Sequence, residues 1–390
     1  MNALIKKFLN YICHLLTCLV NFGQNFMCRR ESVKLWKISD EKPSEEDKEA
    51  YKRHKAYLKR FGFKAVKRDF YVYARYLREA GNDPMYIIPT TIVHKYLTAI
   101  LNPIPYNDYM EDKNMFDKIL PREYLPHTLF RRMGGKWYDS EYQMISFEKV
   151  REIISSNVKG DGFIVKPTHG NSGKGIVVFR KEGNIWNSFD GRGDFVSLIS
   201  KSEWGAEDLI GQELIVQNEF LNHFCDTAVN TFRIIIYNSP INGSIRLIWS
   251  GLKIARQGSV VDNVHSGNLV FGVDRNGKLA TYGCDQYGNK FSKINGIDFA
   301  KEEIFIPHYN KIIDLVKTLC PKLLPHRLIA FDIALDKDGN PVIIEYNLRG
   351  YSGWYCQFSG SYMLGDKTDE ILSYLSEHRK NVDKFYYKIN

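Results

Sequence analysis

Two parts of the sequence combine residue types that can bind phosphate and metal ions, and the first is a loop rich in glycine. The apolar run Phe163–Lys166 ends in a lysine, and a second apolar run begins at Ile176. A hairpin of this kind can lay backbone N–H groups over phosphate oxygens while the ammonium group of Lys166 meets their charge. An ordinary glycine turn is the alternative. The loop residues of interest are Gly170, Ser172, Gly173, Lys174 and Gly175.

This loop differs from the P-loop of many nucleotide-binding proteins. Gly175 follows Gly173-Lys174 where a P-loop has Ser or Thr, and Thr168 takes the place of the first glycine. The next residues read as a strand, whereas a helix follows a P-loop. If the loop binds phosphate, it therefore does so from a β-hairpin.

The second part is a pair of acids around a predicted turn. Asp332 lies midway along an apolar run, and Glu345 follows thirteen residues later, directly after Val342-Ile343-Ile344. An antiparallel hairpin brings the two acids side by side, and Asn347 shares a face with Glu345 because side chains alternate along a strand. Three such oxygen ligands suit Mg²⁺ beside phosphate. The alternative is a pair of surface acids, although an unpaired carboxylate is costly in a run that should be buried.

The elements that must position these residues change in character along the chain. Ser44 and Asp47 form a capping-box pattern, which predicts a charged helix to about residue 60, and residues 64–80 read as a second helix. Shorter helical or mixed pieces follow at 87–101 and 115–132. These segments predict a mostly helical N-terminal lobe over residues 31–135.

From residue 136 onward, helices alternate with short strands. Helices are predicted at residues 147–157, 308–319 and 370–378. Apolar runs bounded by Gly or Asn are typical of antiparallel strands. Such runs occur at residues 163–166, 176–180, 214–220, 232–237, 245–254, 269–273, 328–335 and 342–346. The fold class predicted for residues 136–390 is α+β.

The net charge of +9 lies entirely in the first third of the chain. Residues 1–135 hold 24 Lys and Arg against 15 Asp and Glu, whereas residues 136–390 hold 30 of each. The neutral part argues against a nucleic-acid groove, which needs positive charge. The basic part favours an anionic membrane surface or an acidic substrate, or it reflects solvated helix faces. Seven scattered cysteines without a CxxC pair predict reduced, intracellular thiols.

Residues 1–30 predict an amphipathic, largely apolar helix. Residues 8–28 contain no charged side chain, and polar side chains recur every three or four residues along one stripe. This pattern favours a helix over residues 4–28 that lies in a membrane interface or on a partner; packing on the chain itself, a membrane span or a signal peptide are alternatives. With basic residues at both ends, the first interpretation predicts a cytoplasmic protein in peripheral contact with the inner face of the membrane.

Taken in order, these segments resemble the ATP-grasp superfamily over about residues 110–375. The segments that carry the resemblance are VKPTHGNSGKGI, ELIVQNEFL, NTFRIIIY and FDIALDKDGNPVIIEYNLRG. Within the superfamily the chain is most similar to the sugar-transfer-associated group, through VVDNVHSGNLVFGVDRNGKL and the helical N-terminal lobe. The resemblance implies an α+β ATP-grasp fold, in which two α/β lobes over residues 136–390 grip ATP around a hinge near residues 217–221.

The resemblance also implies which residues bind the nucleotide. Lys166 would bind the α- and β-phosphates, and the loop Gly170–Gly175 would close over them. An earlier lysine, Lys118 in preference to Lys113, would reach the same phosphates. The hinge residues would lie against adenine and the ribose: Gln217, Glu219, Phe220 and Leu221.

Metal, catalytic and substrate residues follow from the same resemblance. Asp332, Glu345 and Asn347 would hold Mg²⁺, while Arg233 and Arg349 would neutralise the transferring phosphate. The stretch between the arginine strand and the acidic hairpin would bind the substrate carboxylate. Its candidate residues are Lys253, Arg256, His265, Ser266 and Asn268.

The implied reaction joins a carboxylate to an amine at the expense of ATP. ATP would phosphorylate a small-molecule or glycan carboxylate, and an amine or similar nucleophile would displace the phosphate, in the modification of a surface polysaccharide or sugar conjugate. Catalysis would come from positioning and charge neutralisation. Two alternatives remain: a phosphotransferase that acts on a hydroxyl group with the same nucleotide cradle, and a nucleotide-binding protein without catalysis.

Overall fold

The computed structural model describes residue 12 and residues 43–158, 160, 162–169, 175–183, 185–200, 204, 207–259 and 261–381. The predicted helix over residues 4–28 lies outside these residues except for residue 12. The described part consists of two seven-stranded antiparallel sheets with helices packed on them. No helix in these ranges is long and apolar enough to cross a membrane.

Helices precede, separate and follow the sheets. A π-helix, Val93–Leu97, joins α3 to α4 in one continuous helical segment. The α-helices are α1 (Glu45–Arg60), α2 (Lys67–Glu79), α3 (Thr90–Ile92), α4 (Thr98–Leu101), α5 (Asn107–Met110), α6 (Phe116–Ile119), α7 (Phe147–Asn157), α8 (Phe195–Ser200), α9 (Glu219–Asn222), α10 (Tyr309–Leu319), α11 (Trp354–Phe358) and α12 (Thr368–His378).

The predicted capping box begins α1. The Ser44 hydroxyl accepts a hydrogen bond from the backbone N–H of Asp47 at 3.1 Å, and the Asp47 carboxylate accepts one from the Ser44 N–H at 2.9 Å. Two backbone donors that the helix leaves without partners are thereby satisfied. The predicted start of this helix is confirmed.

The first sheet has the strand order β3-β2-β1-β7-β4-β5-β6. Its strand β1 overlaps the end of residues 115–132, which the sequence assigns to the helical lobe. Phe130 and Phe163 turn into a core with α7, and this burial keeps the β1 segment in the sheet. The strands are β1 (Thr128–Met133), β2 (Lys136–Tyr138), β3 (Met144–Ile145), β4 (Gly162–Pro167), β5 (Val177–Glu182), β6 (Ile185–Ser188) and β7 (Leu209–Glu213).

The second sheet has the order β12-β11-β10-β9-β8-β15-β16, and β13 and β14 form a separate hairpin. Its central strands match the predicted runs closely. The strands are β8 (Thr231–Asn238), β9 (Ile245–Ile254), β10 (Leu269–Val273), β11 (Leu279–Cys284), β12 (Lys290–Phe291), β13 (Lys293–Ile294), β14 (Ile297–Asp298), β15 (Leu328–Leu335) and β16 (Pro341–Asn347).

The central strands of the second sheet are buried on both faces. Along β8, Phe232, Ile234 and Ile236 join a core with α10, whereas Ile235 and Tyr237 join a core with α1 and α12. Strands covered on both sides read as continuous apolar runs, which explains the sequence of β8 and β15. The N-terminal helices therefore pack directly on the sheet that carries Asp332 and Glu345.

The strand predicted at residues 214–220 is absent. Strand β7 ends at Glu213, and α9 begins at Glu219. The Gln217 amide donates to the carbonyls of Cys225 and Ala228, and the Asn218 side chain caps α9. These bonds hold the chain in a turn at the point where an apolar pattern alone predicts continued strand.

One buried side chain, Asn102, ties the N-terminal lobe to the second sheet. Its Nδ2 donates to the carbonyls of Leu328 and Leu348, and its Oδ1 accepts from the N–H groups of Arg327 and Leu328. The side chain is fully enclosed, so water cannot replace these bonds.

We expect Asn102→Ala to lower the free energy of unfolding by about 3 kcal/mol, because it removes four hydrogen bonds to backbone groups in a site closed to water. Urea unfolding measures the change. Asn276→Ala, in an exposed turn, is the matched control and should change stability by less than about 0.5 kcal/mol. Equal effects of the two substitutions would contradict the role of Asn102.

Candidate functional site

A cleft of about 570 Å³, here called the central cleft, lies between the two sheets. Strands β4, β5 and β7 form the first-sheet wall, and β8, β9, β15 and β16 form the second-sheet wall. The first-sheet wall has an apolar part, with Ile164, Val178 and Leu214, beside charged side chains that include Lys166. The second-sheet wall carries charged side chains of both signs. A volume of this size and a mixed lining are typical of sites for small ligands.

The register of the strands in the second sheet places its charged side chains next to one another on the cleft wall. Arg233 on β8 pairs with Asp332 on β15, and Asp332 pairs in turn with Glu345 on β16. Thr231 on β8 lies opposite Lys253 on β9. Because residues paired across strands share a face of the sheet, residues far apart in sequence meet at one place.

The central interaction on this wall is a buried pair between Arg233 and Asp332. Arg233 donates from Nε to Oδ1 at 2.6 Å and from a terminal nitrogen to Oδ2 at 2.9 Å. The two side chains are only 7% and 3% exposed. Burial alone would raise the pKa of Asp332, but Arg233 and Lys253 overcome it and lower that pKa to about 2. Asp332 is therefore ionised at neutral pH.

Lys253 connects this pair to a further carboxylate, Asp262. The Lys253 ammonium lies 3.4 Å from Asp332 Oδ2 and 3.4 Å from Asp262 Oδ1, and the Thr231 hydroxyl donates to Asp262 Oδ2. Burial lowers the pKa of Lys253, but the two carboxylates raise it above its usual value. Sequence reasoning missed Asp262, although it lies in the quoted segment VVDNVHSG; only its place in the fold distinguishes it from a loop acid.

Two lysines face the acidic hairpin across the cleft. Lys166 is 5% exposed at the end of β4, and burial together with the charge of Lys113 lowers its pKa to about 8. Lys113 lies 3.7 Å from Glu345 Oε2. Lys118, which the sequence analysis preferred, instead lies 4.0 Å above the Tyr142 ring and does not line the cleft. Lys113 thus occupies the place expected of Lys118.

The glycine loop is described only at its end. Gly170, Ser172, Gly173 and Lys174 lie outside the described residues. Gly175 has a φ of +74°, and a Cβ there would approach Pro167 Cγ to 2.8 Å, so both conformation and space favour glycine. Its carbonyl accepts a 2.7 Å hydrogen bond from Trp204 Nε1, which anchors the loop to the first sheet.

The predicted hinge residues divide between two environments. Gln217 lines the cleft, but its amide is used to bind backbone groups. Glu219, Phe220 and Leu221 belong to α9 and do not line the cleft; Leu221 is fully buried in the core beneath the second sheet. From this segment the cleft is lined by residues 213–217, which overlap the prediction only at Gln217, and by Asn222 at the end of α9.

The acidic hairpin offers oxygen ligands suited to Mg²⁺. Glu345 and Asn347 line the cleft, with 3.5 Å between Asn347 Nδ2 and Glu345 Oε1. Both oxygens of Asp332 accept from Arg233, yet a carboxylate has about four acceptor positions and retains capacity for a cation. In the described ranges, no group of three or more His, Cys, Asp or Glu side chains is arranged to hold a metal ion by itself. Two carboxylates and an amide fit Mg²⁺, which usually keeps water and phosphate oxygens as further ligands.

Several predicted catalytic or substrate residues lie outside the cleft. Arg349 pairs with Glu111 at 2.8 Å and with Asp108 at 3.3 Å on the surface. Arg256 donates to the Gly267 carbonyl at 2.8 Å, and Ser266 is exposed away from the lining. Of the predicted substrate residues, those that line the cleft are Lys253 and His265.

Asn268, also predicted to bind substrate, is fully buried and structural. Its Nδ2 donates to the carbonyls of Val261 at 2.7 Å and Asn263 at 3.0 Å. These residues flank Asp262, so Asn268 fixes the loop that presents this carboxylate. The side chain acts behind the cleft wall, and its full burial explains why it cannot reach a ligand.

Solved structures similar to this chain are synthetases and ligases by their titles. They include the ADP complex of N5-carboxyaminoimidazole ribonucleotide synthetase (16% identity, TM-score 0.39, 65% of this chain and 50% of that one). An L-amino acid ligase from Bacillus licheniformis is 15% identical with a TM-score of 0.33, and the match covers 64% of this chain and 43% of that one. The D-alanine-D-alanine ligase from Coxiella burnetii is 9% identical with a TM-score of 0.41, and the match covers 73% of this chain and 63% of that one. The chain thus spans about half of the length of these proteins. No curated protein matches the chain.

A family match covers most of the chain and includes the central cleft. Residues 94–371 match the family described as sugar-transfer associated ATP-grasp. This range extends from the helical segment before Lys113, through both sheets, to the beginning of α12. The α+β fold with two sheets around a cleft is accordingly an ATP-grasp fold, as the sequence analysis expects. The chain belongs to the sugar-transfer associated ATP-grasp family.

Proposed function

We propose that this protein is an ATP- and Mg²⁺-dependent ligase that joins a carboxylate to an amine through an acyl phosphate. The observation that carries the proposal is the arrangement of charge in the central cleft. Lys113 and Lys166 approach Glu345 on one side, while Arg233 and Lys253 flank Asp332 on the other. A polyphosphate between these groups would meet cations from both sheets, and a metal ion would find oxygen ligands beside it.

The adenine would lie against the apolar part of the first-sheet wall. Ile164, Val178 and Leu214 line this wall, and the segment at residues 213–217 contributes backbone beside it. Between the end of β7 and the isolated bridge from Gln217 to Asp336, the backbone is free of sheet pairing. Backbone groups in such a position can read the edge of a base. We accordingly place the hinge at residues 213–217.

Catalysis would rest on positioning and charge neutralisation. Lys166 and Lys113 would orient the phosphate chain, and Arg233 with Lys253 would stabilise the negative charge of the transferring phosphoryl group and of the acyl phosphate. Asp332, Glu345 and Asn347 would hold Mg²⁺, which would supply further positive charge to neutralise the phosphates. Side chains held by buried ion pairs need little rearrangement during the reaction, which favours catalysis.

The family description supports a sugar-linked role. We place the substrate carboxylate on a glycan or small sugar derivative within surface polysaccharide or sugar-conjugate modification. Peripheral contact with the inner face of a membrane through residues 4–28 belongs to the same proposal and rests on their amphipathic sequence. A phosphotransferase acting on a hydroxyl group is the second candidate, because the same cradle would serve it.

Product analysis distinguishes these functions. The protein is incubated with ATP, Mg²⁺ and a panel of uronic acids and amino acids, and products are identified by mass. A ligase should release inorganic phosphate and form a product whose mass equals the sum of the two substrate masses minus that of one water. A phosphorylated acceptor without phosphate release would instead show a phosphotransferase. If none of the substrates increases the consumption of ATP, both functions are contradicted.

Glu345→Gln should lower turnover at least about 100-fold while leaving the unfolding midpoint close to that of the wild type. The change removes a ligand charge with little change in volume, and the side chain is 30% exposed, with Lys113 3.7 Å away. ADP release and thermal unfolding measure the two effects. Glu377→Gln, in the exposed end of α12, is the control. Wild-type turnover in Glu345→Gln would remove Glu345 from the site.

ATP binding should weaken as the pH rises above about 8. Burial and Lys113 lower the pKa of Lys166 to about 8, and a bound phosphate would raise that pKa again. Above pH 8, Lys166 must therefore take up a proton when ATP binds, and this lowers the affinity. Calorimetry between pH 7 and 9.5, in buffers of different ionisation enthalpy, measures affinity and proton uptake.

Lys166→Ala should weaken ATP binding by about 2 kcal/mol at pH 7 and remove most of this pH dependence. Lys136→Ala, an exposed lysine on β2, should change neither. An unchanged pH dependence in Lys166→Ala would assign the titration to another group.

A further inference from the structure

The second-sheet wall carries one carboxylate that the proposed ATP and Mg²⁺ sites do not use. Asp262 lines the cleft with a side chain 13% exposed. Its Oδ2 accepts from the Thr231 hydroxyl, but Oδ1 lies 3.4 Å from Lys253 Nζ, which is longer than an ordinary N–H···O hydrogen bond. Asp262 Oδ1 therefore has room for a closer donor from the cleft.

Asp262 is held rigidly. The fully buried Asn268 donates to the carbonyls of the residues on either side, Val261 and Asn263, and its Oδ1 accepts from the Arg256 N–H at 2.8 Å. A carboxylate that only balanced the charge of Lys253 would not need such support. Fixed placement of this kind is typical of groups that orient a substrate.

A second polar group faces the same space. Tyr355 is only 3% exposed and lines the cleft, and the described residues supply no hydrogen-bond partner for its hydroxyl. Its ring lies 5.8 Å from the guanidinium carbon of Arg233. This hydroxyl is not among the buried polar atoms that lack a partner, so it opens onto the cleft and is available to hydrogen-bond a ligand atom.

We propose that Asp262 and the hydroxyl of Tyr355 form the subsite that binds the amino group of the acceptor substrate. This assignment rests on the proposed ligase function and names the part of the site that receives the nucleophile. The acceptor is accordingly a primary amine that arrives as an ammonium ion. Asp262 matches its charge, and both side chains accept hydrogen bonds from its nitrogen.

The position of Asp262 brings the amine close to the reacting carbon. The ammonium of Lys253 lies 3.4 Å from Asp262 and 3.4 Å from Asp332. The amine subsite at Asp262 is therefore adjacent to the groups that would neutralise the phosphate. An acyl phosphate held by Arg233 and Lys253 would present its carbonyl carbon to a nitrogen held by Asp262. Such proximity supplies much of the rate of a two-substrate reaction.

The bond changes in this step balance. The C–N bond forms, the bond from the carbonyl carbon to the phosphate oxygen breaks, and the phosphate leaves with the electron pair. The ammonium nitrogen loses two protons: Asp262 accepts one before attack, and the departing phosphate takes the other. Burial raises the pKa of Asp262, which strengthens it as a proton acceptor.

Hydroxylamine tests the assignment because it is uncharged at neutral pH and traps acyl phosphates without an ammonium-binding carboxylate. Wild type, Asp262→Asn and Asp226→Asn are incubated with ATP, Mg²⁺ and the panel of uronic acids and amino acids, with and without hydroxylamine. Amide and hydroxamate products are quantified by mass. Asp226 is an exposed acid bound by Gln257, outside the cleft lining, and provides the matched control.

We expect Asp262→Asn to lower the ratio of amide to hydroxamate at least about tenfold, through a higher KM for the amine, and Asp226→Asn to leave this ratio unchanged. Parallel loss of both products would overturn the proposal, because it would mean that Asp262 only balances the charge of Lys253. An unchanged ratio would overturn it as well. If the wild type forms hydroxamate but no amide, carboxylate activation stands and the amine subsite is wrong; if it forms neither, the ligase function itself fails.

Discussion

The buried pair between Arg233 and Asp332 is the interaction on which the arrangement of the central cleft depends. Two charges removed from water are costly, and they are tolerated here because both carboxylate oxygens accept from the guanidinium and Lys253 lies beside them. The pair joins β8 to β15, which are also paired along their length. Loss of Asp332 would leave Arg233 buried without an anionic partner, and loss of Arg233 would leave Asp332 with Lys253 alone. The pair therefore constrains both the register and the charge of the site.

The two walls of the cleft follow from how the sheets are covered. The central strands β8 and β15 of the second sheet are buried on both faces, and their interior positions are apolar apart from Arg233 and Asp332. These two charged residues lie at the cleft, where they and Lys253 compensate one another. The first sheet presents Ile164 and Val178 to the same space. One ligand with an apolar ring and a charged tail fits between walls of this kind.

The N-terminal lobe is part of the support of this site. Asn102 binds backbone groups at the beginning of β15 and after β16, and the Tyr346 hydroxyl donates to the Met110 carbonyl. Glu111 accepts from the backbone N–H groups of Leu348 and Arg349. The acidic hairpin is therefore held from both sides, by its own sheet and by the helical segment that also carries Lys113. This explains why Arg349 is occupied with surface acids and does not point into the cleft.

The sequence by itself determined the central strands, the antiparallel hairpin and the pairing of Asp332 with Glu345. Alternation, turn residues and apolar runs are local properties, and the positions of β9, β10 and β15 follow from them alone. It also indicated the ATP-grasp family through segments that keep their order along the chain. Lys166 was recognised by its place at the end of an apolar run before the glycine loop, whereas Arg233 and Lys253 followed from the resemblance to the family.

Only the tertiary structure decided which side chains share the cleft. The sequence favoured Lys118 over Lys113, but Lys118 packs on Tyr142, and Lys113 is the lysine that lies in the cleft. The turn at residues 214–218 depends on side-chain bonds from Gln217 to carbonyls up to eleven residues away, which no local pattern reveals. Asn268 was expected to bind substrate but is buried behind the cleft wall, whereas Asp262 was not expected in the site and lines the cleft. Both differences arise for the same reason. A loop residue contributes to a site through the register of distant strands, and that register is set by the packing of the whole sheet.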